Sequence, residues 1–280
     1  MKHIVFAIGI IALLITSCDN SKGKVVDQSK PVDQSKPIDE SKAKSTADSI
    51  IAHMVLVDGG TFVMGSDDYE HDYQIVESPA HKVTLSPFHI CKYEVTQKEW
   101  ETIMGENPST FQDESPNNPV ETVSWLDCQV FIKRLNEISG KKFRLPTEAE
   151  WEFAARGGNQ SHGYKFSGSD DHNEVGCIYT PFEQATQEVG LLKPNELGLY
   201  DMSGNVNEYC SNVFEEYTAE DQVDPKGTNG LSKYRVARGG GWCNARRNCT
   251  VTTRLKISKD HRPNGVGLRL AMDANAARKT

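Results

Sequence analysis

The chain opens with an apolar block: after Met1-Lys2-His3, residues Ile4 to Ile15 carry no polar rhythm, and the block ends on Thr16-Ser17-Cys18. A helical span of a roughly 30 Å hydrocarbon core needs about 20 apolar residues, so this block is too short to be a permanent span. Its basic start, apolar middle and small-residue end predict a secretory signal peptide. Alternation begins much later, at Val55-Leu56-Val57, breaks at Asp58-Gly59-Gly60 and resumes at Thr61-Phe62-Val63-Met64. Two alternating runs around a Gly-rich turn predict a β-hairpin. His81 to Leu85 and Phe88 to Val95 alternate again around Ser86-Pro87, which predicts further short strands.

Helical rhythm follows. Thr96-Gln97-Lys98-Glu99 is a capping box, Trp100, Ile103 and Met104 share a face, and Gly105 supplies a left-handed stop. Ser124 with Asp127 opens a second helix whose stripe is Cys128, Phe131, Ile132, Leu135 and Ile138, ending before Gly140. Thr147 with Glu150 opens a third, with Trp151, Ala154 and Ala155 inward and Gly157 beyond it. After Gly158 only short β-like runs remain, at Tyr234 to Ala237, Thr250 to Leu255 and Val266 to Leu270, separated by stretches rich in Gly, Asn, Asp and Ser. Long loops pinned by short strands place binding chemistry on the loops. The class is α+β with much irregular structure.

Residues 19–50 have no apolar rhythm. They hold six Lys against six acidic residues, no aromatic residue, and three imperfect copies of one unit: Val26-Asp27-Gln28-Ser29-Lys30-Pro31, Val32-Asp33-Gln34-Ser35-Lys36-Pro37 and Ile38-Asp39-Glu40-Ser41-Lys42-Ala43. Such a segment buries too little apolar surface to offset its ordering entropy, so a disordered tether is expected, with Pro31 and Pro37 arguing against a helix. The remaining residues 51–275 suit one domain. Leu14-Ile15-Thr16-Ser17-Cys18 resembles a bacterial lipobox, so the expectation is cleavage before Cys18, lipidation of its thiol, and a chain held on the membrane of the bacterial cell envelope, at the outer membrane.

Charge and cysteines narrow the picture. The chain carries a formal −8; Lys2 contributes +1 and the balanced tether nothing, so residues 51–280, the domain with its last few residues, carry −9. Neither nucleic acid nor an anionic membrane surface is an expected partner of the domain. Apart from Cys18, the cysteines are Cys91, Cys128, Cys177, Cys210, Cys243 and Cys249. They are too sparse for a disulfide scaffold, so buried thiols are the default. The histidines show no metal-type spacing.

Several strings follow one another in order: Val57-Asp58-Gly59-Gly60-Thr61-Phe62-Val63-Met64-Gly65-Ser66, Tyr93-Glu94-Val95-Thr96, Pro119-Val120-Glu121-Thr122-Val123-Ser124-Trp125, and Phe143-Arg144-Leu145-Pro146-Thr147-Glu148-Ala149-Glu150-Trp151-Glu152. Beyond them come Gly198-Leu199-Tyr200-Asp201-Met202-Ser203-Gly204-Asn205-Val206, Arg238-Gly239-Gly240 and Gly265-Val266-Gly267-Leu268-Arg269-Leu270. The ordered set resembles the formylglycine-generating enzyme (sulfatase-modifying factor) family over essentially the whole domain. The resemblance implies a C-type-lectin-like fold of low regular secondary structure. Relatives include oxidases that convert a sulfatase cysteine to formylglycine, iron-dependent sulfoxide synthases with an extra helical domain, for which this chain has no room, and envelope lipoproteins with structural or binding roles.

Two sites follow from the resemblance. Asp201, Gly204, Val206 and Glu208 occupy the positions at which relatives hold Ca²⁺ with two side chains and two carbonyls, a donor set that suits a hard cation. The bland alternative is a turn stabilised by Asp201 and Asn205 with Glu208 in solvent. Asn207 and Tyr209 stand where relatives carry Trp. In the oxidases two thiolates hold Cu(I), a soft pair for a soft ion. Counting from Gly240 puts Gly241 at the serine position, Asn244 at the first cysteine and Cys249 at the second. Cys243 is one position early and, in an extended segment, faces the other way. It is either a rearranged copper or redox partner of Cys249, or a buried thiol or disulfide closing a short loop. The expected function is therefore binding or assembly in the envelope, with a protein or glycan ligand. The alternative is an active copper-dependent oxidase acting on a sulfatase cysteine peptide through Cys249 and Cys243.

Overall fold

The computed structural model describes residues 36–68, 72–112, 114–177, 185–227 and 232–274. The expected signal peptide, the expected lipidation site Cys18 and the first two hexapeptide copies up to residue 35 lie outside the described residues. Among the described residues no helix is long and apolar enough to cross a membrane.

The tether ends earlier than the sequence reading placed it. Residues 40–50 belong to α1 (Glu40–Ala52), which begins three residues after Pro37. Asp39 is its N-cap, the carboxylate accepting from the Lys42 N–H at 3.0 Å. Ala43, Ala47 and Ile50 fall on one face and are buried in a core shared with α2 (Gln97–Met104) and α3 (Trp125–Ser139). A stripe this narrow, with alanine at two of its three positions, leaves the average composition polar. It nevertheless allows close helix packing. Proline sits outside the helix, where its missing N–H costs nothing.

The expected hairpin is also replaced. β1 (Met54–Val57) and β2 (Gly60–Met64) do not pair with each other; both run antiparallel to the later stretch formed by β3 (His81–Leu85) and β4 (Phe88–Cys91). Val57 lies opposite Phe88 and Gly60 opposite Leu85, so Asp58-Gly59 crosses Ser86-Pro87 at a shared break. A Cβ on Gly59 would come within 2.3 Å of the Leu85 carbonyl oxygen, so glycine is there for close backbone approach rather than for a hairpin turn. The break divides the ribbon between two sheets.

All three helices expected from their caps are present. α2, α3 and α4 (Glu148–Ala155) each carry a complete capping box, from Thr96 with Glu99, Ser124 with Asp127, and Thr147 with Glu150. Gly105 and Gly140 close the first two in the left-handed conformation. A single-turn α5 (His172–Val175) follows in the loop-rich half. That half is pinned by β5 (Asn207–Val213), β6 (Gln222–Val223), β7 (Tyr234–Arg238), β8 (Arg254–Ser258), β9 (Val266–Gly267) and β10 (Ala271–Asp273). Thr250 to Thr253, expected as strand, form turns. The sheets run β1-β4-β10, β2-β3-β6 and β8-β7-β5-β9. The α+β class read from the sequence is the class observed.

Two apolar cores lie between these layers, one around Trp100 stacked on Phe131 at 4.9 Å, the other around Trp151, Phe88 and Phe153. A buried ionic net stiffens the second. Arg254 meets Glu148 (2.9 Å), Arg238 meets both Glu152 and Glu148, and the Tyr217 hydroxyl donates to Glu148 at 3.0 Å. Burial alone would raise the Glu148 carboxyl, but Arg254 and Arg238 hold it below its ordinary range. The net fixes the end of β7, from which the candidate site departs.

Candidate functional site

The loop leaving β7 begins at buried Arg238 and runs through Gly239-Gly240-Gly241 to Cys249. Gly240 has φ 74°, and a Cβ there would sit 2.4 Å from the Cys249 Sγ, so the loop closes directly onto that sulfur. Gly241 is confined less severely: a Cβ would meet the Gly265 carbonyl oxygen at 3.1 Å, the Asn207 Nδ2 at 3.2 Å and the Asn205 carbonyl oxygen at 3.3 Å. The serine that the resemblance expects at 241 would therefore need its neighbours to move by a few tenths of an ångström.

Asn244, at the position of the first copper cysteine, has a structural partner set. Its Oδ1 accepts from the Gly241 N–H at 2.8 Å and from the Asn207 amide at 3.2 Å, while its own N–H donates to the Gly241 carbonyl at 2.8 Å. This reciprocal closure makes the carboxamide a staple for the tight loop. Asn207 in turn donates to the Gly265 carbonyl at 3.1 Å, linking the loop to the segment before β9. Trp242 is buried, donates its indole N–H to the Asn264 carbonyl at 3.0 Å and meets the edge of Phe111 with ring centroids 5.0 Å apart.

The two candidate thiols lie against different glycines. Cys249 is fully buried against Gly240 and carries a free thiol, so the loop-closing disulfide with Cys243 is not formed. Cys243 is half-buried, with its Sγ 3.4 Å from where a Gly265 Cβ would lie. Burial pushes the Cys249 thiol up to about 12, with the neighbouring Cys177 thiol adding to the effect. A thiol so held is a poor nucleophile and must be deprotonated at a cost before it ligates a metal.

The expected calcium residues lie beneath this loop. Asp201 and Asn205 both have φ near +60°, shaping a tight turn that leads into β5. Asp201 Oδ2 accepts from the Gly190 N–H at 2.7 Å, whereas its buried Oδ1 has no hydrogen-bond partner. Glu208 does not face solvent. It is fully buried, paired with the Arg269 guanidinium (2.7 Å), and it accepts from the Trp151 indole N–H at 2.7 Å. A third buried carboxylate, Glu94, accepts from the Val206 N–H at 3.1 Å and from the Asn205 amide at 2.7 Å. Three carboxylates thus surround one guanidinium. Burial first, then the charges of Asp201 and Glu208, raise Glu94 well above its ordinary range, and burial pushes Asp201 up to about 6. Among the described residues no three His, Cys, Asp or Glu side chains converge as a metal cluster. Hard oxygens, an orphaned carboxylate oxygen and excess negative charge nevertheless fit a hard cation held by Asp201, the Gly204 and Val206 carbonyls and Glu208, with Glu208 shared with Arg269.

Sequence reasoning missed the carboxylates that organise this region. Glu94 lies inside the quoted string Tyr93-Glu94-Val95-Thr96 and Arg269 inside Gly267-Leu268-Arg269, but nothing in local spacing joins residues so far apart in the chain. Glu121 is another: fully buried, it accepts from the Phe111 N–H at 3.0 Å and from the Thr122 hydroxyl at 2.5 Å, holding the loop that covers Trp242. Burial pushes its carboxyl up to about 7.

Comparison with known proteins gives the same outline. Residues 40–274 match the sulfatase-modifying factor enzyme 1-like domain. The chain is 34% identical over 239 residues to the chaperone protein LppX of Paenibacillus barcinonensis, covering 68% of this chain and 78% of that protein. It is 27% identical over 308 residues to the formylglycine-generating enzyme of Thermomonospora curvata, covering 82% of this chain and 96% of that protein. Among solved structures, Treponema denticola variable protein 1 superposes with a TM-score of 0.70 at 30% identity, covering 79% of this chain and 94% of that one. The fold is the formylglycine-generating-enzyme-like, C-type-lectin-like one. On the family match over residues 40–274 and the 34% identity to the Paenibacillus relative, this chain belongs to the sulfatase-modifying factor enzyme 1-like domain family.

Proposed function

We propose that this chain is a binding or assembly protein of the bacterial cell envelope, lipid-anchored through Cys18, that uses the formylglycine-generating-enzyme-like fold without the oxidase chemistry. One observation carries the reading: Asn244 sits at the first copper-ligand position with its carboxamide committed to Gly241 and Asn207. A carboxamide oxygen is a hard, neutral donor and does not replace a thiolate for Cu(I). Cys243 does not restore the pair, because it faces Gly265 while Cys249 faces Gly240. The name of the Paenibacillus relative, a chaperone protein, supports a role in handling another protein. Calcium belongs to the same reading as a structural ion: Asp201, Glu208 and the Gly204 and Val206 carbonyls would hold it, and it would supply positive charge to offset the buried carboxylates under the loop.

The test is incubation of the reduced, copper-supplied protein with a peptide containing Cys-x-Pro-x-Arg, followed by mass spectrometry for the aldehyde. The wild type is expected to give none. Turnover that is lost in Cys249→Ser would overturn the reading and establish the copper oxidase instead. Because Gly241 has so little room, Asn244→Cys with Gly241→Ser is expected to lower stability before it restores activity.

A further inference from the structure

Residues 107–112 follow α2 as a strap that lies against Trp242 through Phe111, whose ring meets the indole edge-on at 5.0 Å. Among the described residues no backbone-to-backbone hydrogen bond ties this strap to the rest of the fold. Side chains hold it instead. The Phe111 N–H donates to Glu121 Oε1 at 3.0 Å, the Glu121 N–H donates to the Ser109 hydroxyl at 3.2 Å, and the Thr110 and Thr122 hydroxyls meet at 2.9 Å. Thr122 also lies 2.5 Å from Glu121 Oε2, so both carboxyl oxygens serve the anchorage. Thr122 has φ 60°, a conformation that β-branched residues rarely adopt, and its hydroxyl is thereby lodged between Glu121 and Thr110. From α2, Gln97 donates to the Phe111 carbonyl at 3.2 Å and accepts from the Asn107 amide at 2.9 Å.

Glu121 is fully buried, and its partners are hydroxyls and a backbone amide. The strap is flanked by Glu106 and Glu114, and α2 carries Lys98 and Glu99 next to Gln97. Val95, which accepts from the Val120 N–H at 2.9 Å, follows Glu94. Pro263, which accepts from the Thr122 N–H at 3.2 Å, follows His261 and Arg262, and Arg262 is committed to Asp127 at 2.6 Å. None of these charged groups bonds to Glu121. A carboxylate buried without a countercharge favours its neutral form, and burial moves this carboxyl up to about 7.

We propose that Glu121 is a proton-operated latch: protonated, it holds the strap 107–112 closed over Trp242, and ionised, it lets the strap open and uncover that ring. In the closed form the carboxyl O–H donates to the Thr122 hydroxyl, which donates onward to Thr110, while Oε1 accepts from Phe111. Loss of the proton to solvent leaves a charge in a site that water does not reach. Opening the strap hydrates that charge, and few bonds oppose it, because no backbone ladder has to break. The sign follows: the closed form binds the proton more tightly than the open one, so acid favours closure and rising pH favours opening. The inference is independent of whether Cys249 binds copper.

The experiment is hydrogen–deuterium exchange of the full chain from pH 5 to pH 8, read by mass spectrometry on peptides covering 107–112 and α4, in wild type and Glu121→Gln. Each rate is divided by that of the same peptide free in solution at the same pH. The closed form keeps the proton up to about pH 7 and the open form only to about pH 4.5. Strap exchange in the wild type relative to the variant should therefore rise about tenfold per pH unit between pH 5 and pH 7 and level off above. At pH 7 the wild-type strap should exchange at least about tenfold faster than α4, as local opening requires. A wild-type-to-variant ratio that stays constant with pH would overturn the latch. So would a strap that exchanges no faster than α4, since opening would then be global unfolding. If the variant does not fold, the wild type alone decides: corrected strap exchange that is flat from pH 5 to pH 7 overturns the proposal.

Discussion

Glu121→Gln is expected to stabilise the protein at alkaline pH and to leave it nearly unchanged at acidic pH. Glu121 is buried beside Thr110, Phe111 and Thr122, with no basic side chain among its hydrogen-bond partners. Burial moves its carboxyl from 4.5 to about 7, outweighing the hydrogen bonds from Thr122 and Phe111. At about 1.4 kcal/mol for each tenfold change in proton affinity, keeping the ionised form in the fold costs roughly 3 kcal/mol. The folded pKa lies above the unfolded one, so the folded chain binds this proton more tightly. Its stabilising contribution is complete below about pH 4.5, declines as the pH rises, and is absent above about pH 7. Glutamine is neutral throughout. Its amide oxygen can accept from Phe111 N–H, and its NH₂ can donate to the Thr122 hydroxyl, which still reaches the Thr110 hydroxyl at 2.9 Å. Urea unfolding of both proteins at pH 5, 6, 7 and 8 in one buffer series isolates the residue, since every other group titrates alike in the two. The stability difference should open by about 3 kcal/mol in favour of the variant, or roughly 6–12 °C in Tm at pH 8. Parallel pH profiles for the two proteins would refute the assignment of this proton to Glu121.

Ile50→Ala should cost about 2–5 kcal/mol, read by thermal unfolding, because α1 is part of the core; a change below about 0.5 kcal/mol would return residues 40–50 to the tether. Arg269→Met should destabilise by roughly 3–5 kcal/mol, because it leaves Glu208 without its cation beside Glu94 and Asp201; an unchanged Tm would show that the carboxylates are compensated otherwise. Chelator should lower the wild-type Tm and leave Asp201→Ala unmoved, and a wild type indifferent to chelator with no calcium by elemental analysis would remove the ion from the turn. Cys18→Ala should move the protein from the membrane to the soluble fraction, with loss of lipid mass from the intact chain.

The features legible in the sequence were those encoded within a few residues. Thr96, Ser124 and Thr147 announced their helices because a capping box is a four-residue device, and the left-handed glycines at 105 and 140 announced the ends. The gap at Asn244 was legible by counting from Gly240, since the spacing is fixed within one loop. What Asn244 does instead was not, because its partners Gly241 and Asn207 are joined by a turn and by a strand 37 residues away. The false hairpin has the same origin: Asp58-Gly59-Gly60 carries the composition of a turn, but its glycine serves a contact with Leu85 that no local pattern reveals. The early end of the tether escaped because its average composition concealed a stripe of two alanines and an isoleucine.

The placement of β10 has a kinetic consequence. This strand, residues 271–273, lies on β4, which itself carries β1, and Arg144 pairs with Ala271 on the far edge of β10. The first sheet is thus completed by residues about 180 positions apart in the chain. A chain made from its N-terminus cannot close that sheet until nearly all of it has emerged, and such non-local pairing slows folding. In the interval β4 presents an unsatisfied edge. Folding of this domain is therefore a whole-chain event, and truncation by even a few residues before Asp273 should be felt at the opposite terminus.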